Sequence, residues 1–277
     1  GWIDPIEMLK DEQVDVVFIA TPIAIHYLQA LQVLNAGKHV WCEKPLTCSH
    51  KDTQHLVKLA RNKNLMLTES FMYLYHSQFK TIQNFIRNSD YGQLHSMSCK
   101  FGIPNLDKPG FRNDVSLCGG AFWDIASYPI SAALSLLPCE DVEVLFSELI
   151  YGNNDLKLDT EGRALLRFSN GTRVNLEWGS GLAYKNEIAL WFDNASFFTE
   201  KIFSKPKNYI PVFRISDKNG NESLSYGEPV EQFVEMFNHF LNTINVKKQY
   251  DENYNNILNR SKMMNEIINF SKSDKTK

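Results

Sequence analysis

The sequence predicts an α/β chain in two parts: a parallel sheet interleaved with helices, then a larger domain built on an open antiparallel β-sheet flanked by helices. Three observations predict it. Short, almost wholly apolar runs at 14–20, 39–42 and 65–68 alternate with helical repeats, and a strand apolar on both faces is one covered from both sides. From Met97 the pattern changes: Met97, Cys99 and Phe101 alternate with polar residues, as in a strand buried on one face only. Farther on, Asn170-Gly171 joins the runs 163–168 and 172–178 with hairpin-turn chemistry.

In chain order, Asp4 caps a short helix opened by Pro5, with Glu7 as its capping-box acid and an end near Lys10 or Asp11. Thr21-Pro22 breaks the first strand and so lies at its carboxyl end. Ile25, Leu28, Leu31 and Leu34 recur at every third position on one helical face, which stops at Gly37. After the strand 39–42 comes Glu43-Lys44-Pro45, a charged pair stiffened by proline at a strand's carboxyl end, where open α/β sheets bind ligands. A solvated lysine at the start of a loop is the plain alternative. A helix from Ser49 to about Asn64, with Leu56, Leu59 and Ala60 on one face, leads to the strand 65–68. The aromatic residues that follow, Phe71, Tyr73 and Tyr75, read as core or pocket wall. Phe79, Ile82, Phe85 and Ile86 mark the helix that leaves the sheet, Asp90-Tyr91-Gly92 turns the chain, and the boundary is placed near 90, giving parts 1–90 and 91–277.

Residues 102–118 form a long loop of the kind that covers a pocket, and Arg112 lies in it. Gly119-Gly120 then opens a helix whose Asp124 and Tyr128 share one face by their i, i+4 spacing. Among Phe122, Trp123, Ile125 and Ile130 both polar groups need partners, either in a structural network or on a substrate. Pro129 is expected to kink this helix just past Tyr128. Strands at 142–150, 163–168, 172–178 and 187–192, with a turn at 218–221, supply scaffold. Phe233, Met236, Phe237, Phe240 and Leu241 line one helix, Ile257, Met263, Met264 and Ile267 the last, and the polar tail 271–277 is expected to fray.

At 277 residues, 43% hydrophobic and 22% charged, the chain holds enough apolar residues for a sizeable core. A formal charge of −3 and a pI near 6.2 argue against nucleic acid as a partner. No apolar run reaches membrane-spanning length, and nothing at the start resembles a signal peptide. Cys42, Cys48, Cys99, Cys118 and Cys139 are scattered without C-x-x-C spacing and read as reduced thiols of a cytoplasmic protein. The histidines do not cluster at metal-ligand spacings, and no serine motif resembles a nucleophile elbow.

Three blocks, VDVVFIATPIAIH (Val14 to His26), AGKHVWCEKPL (Ala36 to Leu46) and GGAFWDIASYPI (Gly119 to Ile130), occur in the order found in the Gfo/Idh/MocA oxidoreductases, which the chain resembles from Val14 to about Leu137. That family includes glucose-fructose oxidoreductase, inositol dehydrogenase and dihydrodiol dehydrogenase. The resemblance implies that 1–90 is the later portion of a Rossmann-type dinucleotide-binding domain and 91–277 a substrate-binding and oligomerisation domain. No G-x-G-x-x-G occurs, so the first βαβ half, roughly 60–70 residues, is expected to be missing. It implies NAD or NADP as cofactor, held by Thr21, Pro22, His26, Glu43, Lys44 and Pro45. Lys44, Tyr128 and Asp124 form the implied catalytic set, with Arg112, Asp124 and Tyr128 toward substrate and no metal. The implied reaction passes a hydride between nicotinamide and a secondary hydroxyl of a sugar, cyclic polyol or dihydrodiol.

A tyrosine with a pKa near 10 is a poor base at neutral pH, so Lys44 is expected to depress Tyr128 while Asp124 positions a hydroxyl. The sequence departs from the family's common pattern at Ile23, where relatives often carry Asn, at Leu74, where many carry Arg, and at Cys118, where a third glycine is common. A homo-oligomer through the β-sheet is implied, and a non-catalytic ligand-sensing or regulatory member of the fold, or an inactive fragment, is the alternative reading.

Overall fold

The computed structural model describes residues 3–138, 140–152 and 157–273. Cys139 and the end of the expected frayed tail lie outside them. The first sheet is parallel, in the order β1 (Val16–Ile19), β2 (His39–Cys42), β3 (Leu67–Glu69). It is reached through α1 (Pro5–Lys10), whose Asp4 side chain accepts from the Ile6 N–H. α2 (Ile23–Asn35) and α3 (His50–Lys63) connect its strands; Ser49 caps the start of α3 by accepting from the Asp52 N–H, and Asn64 in the left-handed conformation ends it. Val40, Leu34 and Leu56 are fully buried in the resulting core, each contributing about 1.5–3 kcal/mol by leaving water.

The opposite side of the sheet differs from a strand covered on both faces. Trp41 stacks on Phe237 and Phe240 of α6 (Gln232–Thr243), but its neighbour Phe18, packed against Trp41, is 51% exposed.

After α4 (Ser77–Arg87) the chain enters a second sheet of eight strands: β4 (Leu94–Ile103), β5 (Glu143–Tyr151), β6 (Asp159–Arg167), β7 (Arg173–Ser180), β8 (Lys185–Phe192), β9 (Ala195–Glu200), β10 (Val212–Asp217) and β11 (Glu222–Tyr226). In space they run β11-β10-β9-β8-β4-β7-β6-β5. The expected antiparallel sheet is therefore corrected to a mixed one. β4 inserts between β7 and β8, antiparallel to β8 and hence parallel to β7. Gly171 closes the β6–β7 turn at φ +87, a conformation that favours glycine. Gly162 is needed for space, since a Cβ there would stand 2.3 Å from the Trp178 ring.

α5 (Ser127–Leu136) lies on the inner face of this sheet, preceded by a π-helical turn, Phe122–Ala126. The π turn ends three residues before Pro129, the residue expected to kink this helix, and Pro129 lies in helical backbone continuous with that turn.

The C-terminal helices return to the first sheet. Phe240 of α6 and Tyr250, Tyr254 and Ile257 of α7 (Tyr250–Ser273) belong to the first core, while Met263, Met264 and Ile267 farther along α7 belong to the second. One long helix thus splints both halves.

Cys48 and Cys118 form a disulfide across 70 positions, tying the turn after β2 to the loop before the π turn. The expectation of reduced thiols is overturned for this pair, which folding brings together from both halves; Cys42 and Cys99 are free and buried. Among the described residues no helix is long and apolar enough to cross a membrane.

Candidate active site

The carboxyl ends of β1 and β2 face the π turn and α5 across a cavity of about 340 Å³. Thr21, His26, Glu43, Lys44, Arg112, Asp124 and Tyr128 all line it. Of the remaining expected contacts, Pro22 caps the start of α2, and Pro45 is buried behind Lys44 after a cis peptide bond.

Lys44 is at the centre. Its Nζ donates to the Asp124 main-chain oxygen at 2.6 Å and to Oδ1 at 2.9 Å, and lies 4.3 Å from the centre of the Tyr128 ring. Arg112 donates from Nε to Asp124 Oδ2 at 2.6 Å. Both carboxylate oxygens of Asp124 are therefore engaged by cations, where the sequence reading assigns them to a substrate hydroxyl. The side chains of Lys44 and Asp124 are 8% and 11% exposed, so this pair is poorly screened by water.

Burial is the largest influence on each of these groups, and neighbours decide whether it prevails. It pulls Lys44 down, but Tyr128, Asp124 and Glu43 together outweigh it and the ammonium ends above its ordinary value. Burial raises Asp124, yet Lys44 and Arg112 bring its carboxyl below the usual range. Glu43 stays raised by burial despite Lys44. Tyr128 corrects an expectation. Lys44 does pull its pKa down, but burial among aromatic rings is stronger, and the phenol ends above its usual value.

Those rings explain the burial. Phe71, Phe101 and Phe203 surround Tyr128 with centroids 5.8, 5.1 and 5.5 Å away. Its hydroxyl points toward Met72 Sδ at 4.0 Å.

The sequence reading missed several supports of this site. The Leu46 N–H donates to Glu69 Oε1 at 2.8 Å, and Arg260 of α7 donates from Nε to Glu69 Oε2 at 2.8 Å, anchoring the turn after Lys44 from the far end of the chain. Asp159 accepts from the Phe122 N–H at 2.6 Å where the π turn begins, and burial pushes its carboxyl up to about 6. Phe203 and Ser204 complete a wall from a loop with no periodic signal. A polar residue at a strand end, such as Glu69, was the one legible clue.

Residues 2–71 match the family model described as oxidoreductase family, NAD-binding Rossmann fold, and residues 79–198 match the GFO/IDH/MocA C-terminal domain. The chain belongs to the Gfo/Idh/MocA oxidoreductase family. Among its relatives is the dTDP-3,4-didehydro-2,6-dideoxy-α-D-glucose 3-reductase of Saccharopolyspora spinosa, 32% identical over 79% of this chain and 65% of that protein. The reductase of the same description from Actinomadura kijaniata is 30% identical over 79% of this chain and 67% of its own length. The chain thus spans about two thirds of the length of these curated relatives. A solved 3-ketoreductase from A. kijaniata, in complex with NADP and TDP-benzene, superposes with a TM-score of 0.90 at 26% identity, covering 95% of this chain and 80% of that one. The aldose-aldose oxidoreductase of Caulobacter crescentus shares the fold, with a TM-score of 0.86 at 17% identity over 97% and 80% of the two chains. The family inferred from the three sequence blocks, and the α/β class read from the apolar patterning, agree with these matches.

Proposed function

We propose that the protein reduces a ketone carbon of a sugar to a secondary alcohol with NADPH, and that Lys44, Tyr128 and Asp124 do the work on the protein side. The observation that carries this reading is the cluster of Lys44 Nζ, Asp124 and the Tyr128 ring in one cavity at the carboxyl ends of two parallel strands. Ala20 and Ile23 give that cavity an apolar floor beside Lys44, which suits a nicotinamide ring lying against Thr21. A bound reduced nicotinamide supplies the hydride.

The chain's own groups handle the proton. The Tyr128 phenol, which burial holds above its usual value, carries its proton at neutral pH, and Lys44 is held as the ammonium, so the pair can donate a proton. As the carbonyl carbon gains the hydride, its oxygen takes the Tyr128 proton. Lys44 stabilises the charge passing from that oxygen to the phenolate, and solvent later restores the phenol. Asp124, clamped between Lys44 and Arg112, fixes the direction of the ammonium.

For the substrate, relatives named as reductases of dTDP-linked deoxy-ketosugars support a nucleotide-linked ketosugar ahead of a free cyclic polyol or a dihydrodiol. The A. kijaniata 3-ketoreductase has also been solved with one lysine and, separately, one tyrosine substituted, and the two are as far apart in its sequence as Lys44 and Tyr128 are here. That spacing supports a shared pair of roles. Copies of the protein are proposed to associate through the open face of the second sheet, where Trp191 and Tyr226 are exposed.

The test is NADPH oxidation by the full-length protein with a dTDP-linked 3-ketosugar, compared with a free ketosugar, a cyclic polyol and a dihydrodiol. Turnover on a ketosugar and loss of NADPH fluorescence on titration are expected. Tight NADPH binding with no turnover on any of the four would favour the sensor reading.

A further inference from the structure

We infer that His26 is a positioning residue of this site, held as an imidazolium that staples together the two strand-end turns beneath the reacting groups. The inference rests on the reductase reading and adds to it a residue whose part is to set Lys44. The ring is 1% exposed, and each nitrogen faces a main-chain carbonyl oxygen: Nε2 lies 2.7 Å from the Thr21 oxygen and Nδ1 3.0 Å from the Pro45 oxygen.

A carbonyl oxygen only accepts, and a neutral imidazole has only one N–H. In either neutral tautomer a bare nitrogen would face a carbonyl lone pair, repulsive and unsatisfied in a buried place. With both nitrogens protonated, each carbonyl receives a donor and the ring becomes a two-ended clamp. Its charge has a counterpart in the Glu43 carboxylate, which shares the cavity wall and interacts favourably with it. Lys44, Arg112 and Asp124, the other charged groups lining the cavity, are engaged with one another.

The two carbonyls give the clamp its consequence. Thr21 lies just past the end of β1, and Pro45 directly follows Lys44 after β2, so one side chain fixes the spacing of the two turns that bound the cavity. On its other side the same turn is held by the Leu46 N–H on Glu69 and by Glu69 on Arg260. Lys44 thus starts from a backbone gripped at both sides, and its Nζ arrives at Asp124 with the distances given above. Both ring nitrogens of His26 are spent on the main chain, so its part is to aim Lys44; the contact with cofactor expected from sequence would have to break the clamp.

The experiment uses full-length protein labelled with ¹⁵N at histidine. Long-range proton–nitrogen correlation at neutral pH should show both nitrogens of one ring protonated, a signal assigned to His26 by its loss in His26→Gln. One protonated and one bare nitrogen would overturn the imidazolium. His26→Leu should lower kcat on the ketosugar by about tenfold to a hundredfold, with KM changed by less than about threefold, because Lys44 is misaimed while substrate contacts remain. His26→Gln, whose amide nitrogen can restore one of the two donors, should recover part of that loss. A leucine variant that is folded by circular dichroism and keeps kcat within about twofold would overturn the positioning role. If His26→Leu does not fold, the glutamine variant decides: with one donor restored, a loss of about threefold or more in kcat at little-changed KM supports the clamp, and kcat within about twofold of wild type overturns it. If the wild type turns over no ketosugar, the reductase reading falls, while the nitrogen spectrum still decides the charge of the ring.

Discussion

Replacing Lys44 with methionine separates chemistry from folding more sharply than any other change in this site. The substitution keeps the length of the side chain and removes one ammonium, and with it two hydrogen bonds to Asp124, at 2.6 and 2.9 Å, and the cation 4.3 Å from the Tyr128 ring. Asp124 is not left as a bare buried charge, because Arg112 still donates to its Oδ2. The stability cost is therefore that of lost charged hydrogen bonds, about 1–3 kcal/mol, well below the 3–5 kcal/mol of a wholly broken buried pair. A domain with ordinary stability, about 5–15 kcal/mol, stays folded through such a change. Catalysis loses more. Removing one preorganised donor at a developing negative charge costs about a hundredfold to a thousandfold in kcat, and Tyr128 loses the one influence that offsets its burial most strongly. Steady-state NADPH oxidation should fall by that factor while circular dichroism and the melting temperature show a folded protein. A folded Lys44→Met variant that keeps turnover within about tenfold would remove Lys44 from the mechanism.

Other expectations follow from the same structure. The Asp159 carboxyl, raised by burial from its ordinary 3.8 to about 6, favours the folded state most when protonated; that stability is fully present below about pH 4 and is lost as pH rises through about 6. The stability difference between wild type and Asp159→Asn, followed by urea denaturation, should therefore shift toward the wild type by on the order of 2–3 kcal/mol between about pH 7 and pH 4. A flat difference would remove burial as the governing cause. The Cys48–Cys118 bridge closes a loop across 70 positions, so Cys48→Ser or added reductant should lower stability by about 2–4 kcal/mol, and a denaturation midpoint indifferent to reductant would contradict the bridge. Trp191 is 67% exposed on the open sheet face, and Trp191→Glu should convert an oligomer to monomer in light scattering without unfolding it. Unchanged mass would place the contact elsewhere.

The sequence by itself determined the local grammar of this protein. Apolar strands of three or four residues, helical repeats and strand-end breakers placed Thr21 and Lys44 at carboxyl ends, and alternation after Met97 announced a second kind of sheet. These are properties of neighbouring residues, and periodicity records them. β10 and the edge strand β11 were not legible apart from the turn between them, because their side chains are mixed and largely exposed, without the apolar alternation of a half-buried strand.

What only the tertiary structure decided lies at long sequence separation. Lys44 meets Asp124 across 80 positions, and Arg260 meets Glu69 across 191. No local pattern encodes which of several charges will be buried together. The same holds for the electrostatics of the site: Tyr128 carries the same phenol in any sequence, and only the rings packed around it decide that burial outweighs Lys44 and raises its pKa.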